Sequence, residues 1–303
     1  MRRQPQWLVK SLTNLKYERA QHVPVLADQA VAWLNVHSGG IYVDATVGSG
    51  GHTALILQVG GVKVFGLDKD PGAIERVKKK FGGVKDFTAI HGGFEKMKEF
   101  LAREGVNAVD GVLFDLGIST EQLKSERGFS FQVDAPLDMR FDSSGGITAA
   151  DILNESHPEE LVRIFSEFGE IRGSRKLVKL IVERRKKRPF VRTGELVELI
   201  CQSFKRYRRK HPATLFFQAL RIAVNDELEC LRCGLHQARE TLKKSGRLVV
   251  ISFHSLEDRI VKHFFRQCDD LKVLTPKPER VDRNTVAIHP ESRSAKLRVA
   301  EKV

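Results

Sequence analysis

The chain predicts an α/β fold, a doubly wound sheet of mainly parallel strands interrupted by a smaller helical domain. Three observations predict it. Strand-like and helix-like patterns alternate through the first 115 residues, the order that builds a parallel sheet covered by helices. The apolar runs of that region end at Asp44, at Asp68, near Ile90 and at Asp115, so several carboxyl ends are expected to line one crevice. After Leu123 no strand pattern returns until residues 247–251, a gap large enough for a unit of its own.

Taken in order, residues 1–21 form a basic arm without the apolar core of about 7 to 15 residues that a secretory signal needs. Ile41-Tyr42-Val43 is the first strand. It runs into Asp44-Ala45-Thr46-Val47-Gly48-Ser49-Gly50-Gly51-His52, and a helix pattern begins at Thr53. Glycines there let backbone pass close to a ligand, and the N–H groups opening the next helix face the same cleft. A dinucleotide fingerprint needs a third glycine where this chain has Thr53. Asp44 instead stands where a cationic amino acid group would be held by charge-assisted hydrogen bonds, which favours S-adenosylmethionine over NAD. The second strand, 62–67, ends in Asp68, an acid placed to hold a ribose diol, and Pro71 opens the helix after it.

The fourth strand ends at Asp115, the strongest catalytic candidate. A carboxylate accepting an amine N–H localises the nitrogen lone pair and stabilises developing positive charge; holding the cofactor is the equal alternative. The strand at 247–251 precedes Phe253-His254-Ser255-Leu256-Glu257-Asp258. Ser255 and Asp258 match a capping box. His254 either orients a base and relays a proton or is a plain hydrogen-bonded loop histidine. His52, inside the glycine turn, is expected to touch the ligand. Phe129 and Phe131 lie where a flipped base would stack, although eighteen phenylalanines make core packing the default.

The interruption spans residues 124–215 and is expected to be an inserted helical substrate-recognition domain. Residues 22–123 and 216–303 then make the cofactor domain. The net charge of +13 calls for an anionic partner, nucleic acid ahead of a membrane surface. Much of it is concentrated in the insert, with nine Lys or Arg against Glu183 between 171 and 188 and five more around Tyr207 in 205–210. No apolar stretch approaches the roughly 20 residues that span a bilayer, so a soluble protein is expected. Four scattered cysteines fit a reducing cytoplasm. Cys230 and Cys233 lie in a helical pattern without a second pair, which favours core thiols over a metal site.

With these segments assembled, the chain resembles the bacterial MraW or RsmH family, the 16S rRNA cytosine-N4 methyltransferases. The resemblance runs from His22-Val23-Pro24 to Lys296-Leu297-Arg298. It is carried by Gly50-Gly51-His52, Asp68-Lys69-Asp70-Pro71, Asp115-Leu116-Gly117, Arg127-Gly128-Phe129-Ser130-Phe131, Pro136-Leu137-Asp138-Met139-Arg140, His211-Pro212-Ala213-Thr214, Phe217-Gln218-Ala219-Leu220-Arg221 and Ile251-Ser252-Phe253-His254-Ser255-Leu256-Glu257-Asp258. It implies a Rossmann-like class I S-adenosylmethionine-dependent methyltransferase acting on cytosine 1402 of 16S rRNA, in the decoding region of the small ribosomal subunit. It implies cofactor contacts at Gly50, Gly51, His52, Asp68, Phe94, Asp115 and Gln122, of which Phe94 and Gln122 are carried by the resemblance alone. No metal is expected, and a homodimer is left open. Competing expectations are a DNA or protein methyltransferase with the same cradle, a non-catalytic RNA-binding factor, and an NAD oxidoreductase.

Overall fold

The computed structural model describes residues 24–204 and 211–303. The N-terminal arm and the basic run at 205–210 therefore lie outside the described residues. A seven-stranded sheet has the order β3-β2-β1-β4-β5-β7-β6. Strands β1 (Ile41–Asp44), β2 (Lys63–Asp68), β3 (Phe87–His91) and β4 (Val109–Asp115) are parallel to one another and to β5 (Leu242–Ser252). β6 (Leu271–Val273) and β7 (Lys296–Lys302) close the edge antiparallel. β5 starts five residues before the run legible in sequence. Its added stretch, which contains Ser245 at positive φ, is charged, and the pairing register against β4 shifts there.

Side chains alternate across this sheet with the period of two that strands impose. Val43, Phe65, Val112, Phe114, Leu248 and Val250 face one core, packed by α4 (Met97–Arg103), α11 (Glu227–Thr241) and α12 (Ser255–Gln267). Tyr42, Val64, Leu113, Val249 and Ile251 face the other, beneath α1 (Ala27–Leu34) and α2 (Gly51–Leu57). Burial on both faces is why the strands read as continuous apolar runs. The order reverses between β1 and β4, and ligands of such sheets bind outside the carboxyl ends at that point.

A second hydrophobic cluster runs from Phe129 to Leu220. It is built by α6 (Ala149–Glu155), α7 (Pro158–Arg163) with a π-turn at Ile164–Phe168, α8 (Ser174–Arg185), α9 (Thr193–Ser203) and α10 (Ala213–Asn225). The junction expected at 215/216 falls inside α10, whose Phe216, Phe217, Ala219 and Leu220 join this cluster. Among the described residues no helix is long and apolar enough to cross a membrane.

Candidate active site

The loop between β1 and α2 takes its shape from glycine. Gly48 and Gly50 have φ of +52° and +73°, the left-handed region that other residues avoid. At Gly50 a Cβ would also lie 2.5 Å from the Phe81 ring, so conformation and packing both require glycine. Asp44 sits behind this turn and does not line the cavity in front of it. Its carboxylate accepts the Thr53 hydroxyl at 2.7 Å and the Thr46 N–H at 3.4 Å, and burial pushes its pKa up to about 6. Asp44 was expected to meet a cationic amino acid group, and in this structure its carboxylate is engaged by Thr53 and Thr46. It braces the turn from beneath, because Thr53 enters the first turn of α2 directly over it.

Asp68 faces the cavity. One oxygen accepts the Gly48 N–H and the other the Asp70 N–H, both at 2.9 Å, so the side chain is fixed while each oxygen keeps a free lone pair. Burial raises its pKa to about 6. Asp70 caps α3 (Pro71–Phe81) through the Gly72 N–H and is itself buried. Its carboxylate also accepts the Arg127 guanidinium at 2.8 Å and the Gln122 amide at 3.3 Å. The Gln122 oxygen in turn accepts the Ser119 N–H within a capping box that opens α5 (Thr120–Lys124). The cofactor-side strand end is thus tied to the loop beyond β4. The contacts made by Arg127, Asp70 and Thr46 escaped sequence reasoning, since no local spacing marks a contact across 57 or 69 positions.

Asp115 closes the crevice. Its N–H donates to the Thr46 hydroxyl at 2.7 Å, and one carboxylate oxygen lies 3.6 Å from His52 Nδ1. The other, Oδ1, is buried without a hydrogen-bond partner among the described residues. Burial raises its pKa well above the usual carboxylate range, and the like charges of Asp44 and Glu257 raise it further. His52 is buried and its pKa is lowered to about 4 by that burial, so a neutral imidazole stands beside Asp115 at physiological pH.

His254 also lines the cavity, but its polar atoms face the protein. It caps α12, with Nδ1 accepting the Glu257 N–H at 3.4 Å and Nε2 3.1 Å from Glu257 Oε1. The capping box expected at Ser255 and Asp258 is therefore shifted by one residue. Ser255 donates instead to Glu170, and Asp258 pairs with Lys296 and Arg298. Burial opposes ionisation of Glu257, yet His254, Arg221 and the Phe253 N–H together hold its pKa below the usual range. Arg221 is bonded twice to Glu227, at 2.7 and 3.0 Å. Ligand-type atoms of Glu227, His254 and Glu257 lie within 4.8 Å of one another, and the buried Arg221 guanidinium is paired with Glu227 beside them.

The cavity, about 440 Å³, is walled by both hydrophobic units. Phe94 lines it edge-on to Phe114. Phe129 also lines it but is only 5 % exposed, stacked on Phe141 and covered by Arg127. Phe131 stacks on His211 with centroids 4.7 Å apart and lines the same space. Cys230 lies 3.1 Å from Lys69 Nζ, whereas Cys233 is exposed, which corrects the expectation that both are core thiols.

An open sheet that reverses order at β1 and β4, with a glycine turn there and a backbone-anchored acid on the next strand, defines a Rossmann-like nucleoside-cofactor protein of the class I methyltransferase type. The chain belongs to the MraW methylase family, which matches residues 19–303, and its cofactor is S-adenosylmethionine. It is 45% identical over 304 residues to the ribosomal RNA small subunit methyltransferase H of Carboxydothermus hydrogenoformans, covering 93% of this chain and 98% of that one. It is 47% identical over 303 residues to the protein of the same name from Trichormus variabilis, covering 96% of each. The turn has room for the cofactor: apart from its chain neighbours no atom lies nearer than 3.9 Å to a Cβ placed on Gly48, and the buried Asp115 Oδ1 has no hydrogen-bond partner among the described residues.

Proposed function

We propose that the protein methylates small-subunit ribosomal RNA and that its target is the exocyclic N4 of cytosine 1402 in 16S rRNA, in the decoding region. The observation that carries the chemistry is Asp115 Oδ1, buried and unpartnered in a cavity shared by the glycine turn and the second hydrophobic unit. The relatives' names support the RNA class, and the charge of +13 suits a phosphate-rich partner.

S-adenosylmethionine supplies an electrophilic methyl group when bound. Gly51, His52, Asp68, Phe94 and Gln122, which line the cavity, would hold it, with Gly50 shaping the turn from behind and Asp68 suited to the ribose because its two oxygens are already aimed by backbone donors. Asp115, once ionised, accepts an N–H of the target amine and shares the positive charge that develops on nitrogen. The extra proton then leaves to solvent. The neutral His52 beside it adds no competing positive charge. His254 acts through Glu257 and Arg221 as a positioning residue, and Asp44 as a brace of the turn. In this reading residues 22–123 and 216–303 bind the cofactor, 124–215 recognise RNA, and the protein works in the cytoplasm.

Transfer of labelled methyl from S-adenosylmethionine to small ribosomal subunits, followed by mass mapping of the modified nucleotide, tests this reading. One methyl on cytosine 1402 is expected. Incorporation elsewhere in 16S rRNA would retain the class and overturn the position. No incorporation at saturating cofactor would leave a non-catalytic RNA-binding factor.

A further inference from the structure

The basic run at 171–188 is not one surface. Arg185 donates to the carbonyls of Leu153 and Ser156 at 2.9 and 2.8 Å. Arg184 is held 3.1 Å from Glu195 with its guanidinium over the Phe190 ring, and Arg188 reaches the same carboxylate at 3.6 Å. Those contacts fasten α8 to α6 and α9. Arg172, Arg175 and Lys176 are exposed and form no ion pair among the described residues. They surround the start of α8, where Gly173 provides no side-chain cap for the first N–H groups.

Two of these cations, Arg172 and Arg175, line an open groove together with Val162, Ser166 and Glu170. Glu170 does not leave the groove acidic. Its carboxylate accepts the Ser255 hydroxyl at 2.5 Å and pairs with Arg259 at 2.9 Å. That contact also fixes the groove's position, because Ser255 follows His254 and His254 lines the central cavity. Glu170 is held for it at φ +49°, a conformation uncommon outside glycine. The exposed Lys186 and Lys187 lie at the far end of α8, roughly 16 Å from Arg175 at about 1.5 Å per residue.

A base that reacts in an enclosed cavity must be drawn out of its stack, and the phosphates on either side then come to rest beside the cavity mouth. Resting on the reading of the protein as an rRNA methyltransferase, we propose that the groove at 162–175 receives the phosphates of the strand flanking the target nucleotide. Its contacting cations are Arg172 and Arg175, which line it, and the exposed Lys176 beside Arg175 in the first turn of α8, whereas Arg184 and Arg185 are scaffold.

The test is the full chain carrying R172Q, R175Q and K176Q, measured against small ribosomal subunits at several salt concentrations, with S-adenosylhomocysteine calorimetry beside it. Three lost contacts to a single strand should make the slope of log affinity against log salt shallower by about 2. KM for subunits should rise at least ten-fold while S-adenosylhomocysteine affinity stays within two-fold. R184Q should lower the melting temperature and keep the wild-type slope. A wild-type slope in the triple variant overturns the groove, and so does a larger loss of slope in K186Q/K187Q than in the triple variant. A wild-type chain that modifies no rRNA overturns the enzyme reading instead, so the two failures are separable.

Discussion

Asp68→Asn probes the cradle at the residue where binding and stability pull in opposite directions. Burial raises the carboxyl from 3.8 to about 6, so holding it ionised at pH 7.5 costs the free protein at most about 3 kcal/mol, two units at about 1.4 each. Solvent in the cavity reaches part of the group, which makes this an upper bound. Because the folded value lies above the unfolded one, the cost is absent well below pH 4, accumulates between about pH 4 and 6 and is constant above that. Asparagine carries no such cost, but its NH₂ must face either the Gly48 or the Asp70 N–H, and that buried donor loses about 1 to 3 kcal/mol. The variant is therefore expected within about 2 kcal/mol of the parent at pH 7.5. Between pH 4.5 and 7.5 the difference should move by about 2 kcal/mol in the variant's favour. Cofactor affinity should fall by about 1.5 to 3 kcal/mol as hydrogen bonds to a charged acceptor weaken. Urea unfolding at the two pH values and S-adenosylhomocysteine calorimetry read both quantities. Affinity within three-fold of the parent would place the ribose elsewhere, and a pH-independent stability difference would show that Asp68 is not desolvated.

Asp115→Asn should lower kcat by about 10²- to 10³-fold, the loss typical of a group aimed at developing charge, and should raise the melting temperature of the free protein at neutral pH; a loss under ten-fold would remove Asp115 from the chemistry. In the parent the methylation rate should decline on acidification with a midpoint above the usual carboxylate range, since Asp115 acts ionised and its pKa is raised; a rate unchanged down to pH 5 would contradict that role. Arg127→Gln leaves buried Asp70 with reduced compensation and should cost about 2 to 4 kcal/mol by thermal denaturation, with weaker cofactor binding; a melting temperature equal to the parent's would show that the pair is not stabilising. Gly50→Ala combines left-handed strain with a clash against Phe81 and should destabilise by about 2 to 4 kcal/mol, which circular dichroism melting would detect.

The strand ends were legible because apolar runs buried on both faces stop at acids, and Asp44, Asp68 and Asp115 indeed end β1, β2 and β4. The antiparallel edge was not. β7 reads as mixed charge in sequence, and its pairing with β5 spans about fifty positions. His254 shows the limit at the site. The segment does open a helix, yet two overlapping capping patterns compete for it, and only the buried position of Glu257 selects the imidazole over Ser255 as the cap.

The residues by themselves determined the glycine turn, the acids at the strand ends and the excess of positive charge. These follow from spacing along one strand and helix and from summed charge, which need no long-range contact. Tertiary structure alone decided which acids face the cavity. Asp44 and Asp115 occupy the same place in their strands, but Thr53 covers one and leaves the other in the cavity. It also separated the cations of α8 into those turned onto carbonyls and Glu195 and those left in solvent, because a side chain's charge is set by its sequence and its partner only by packing.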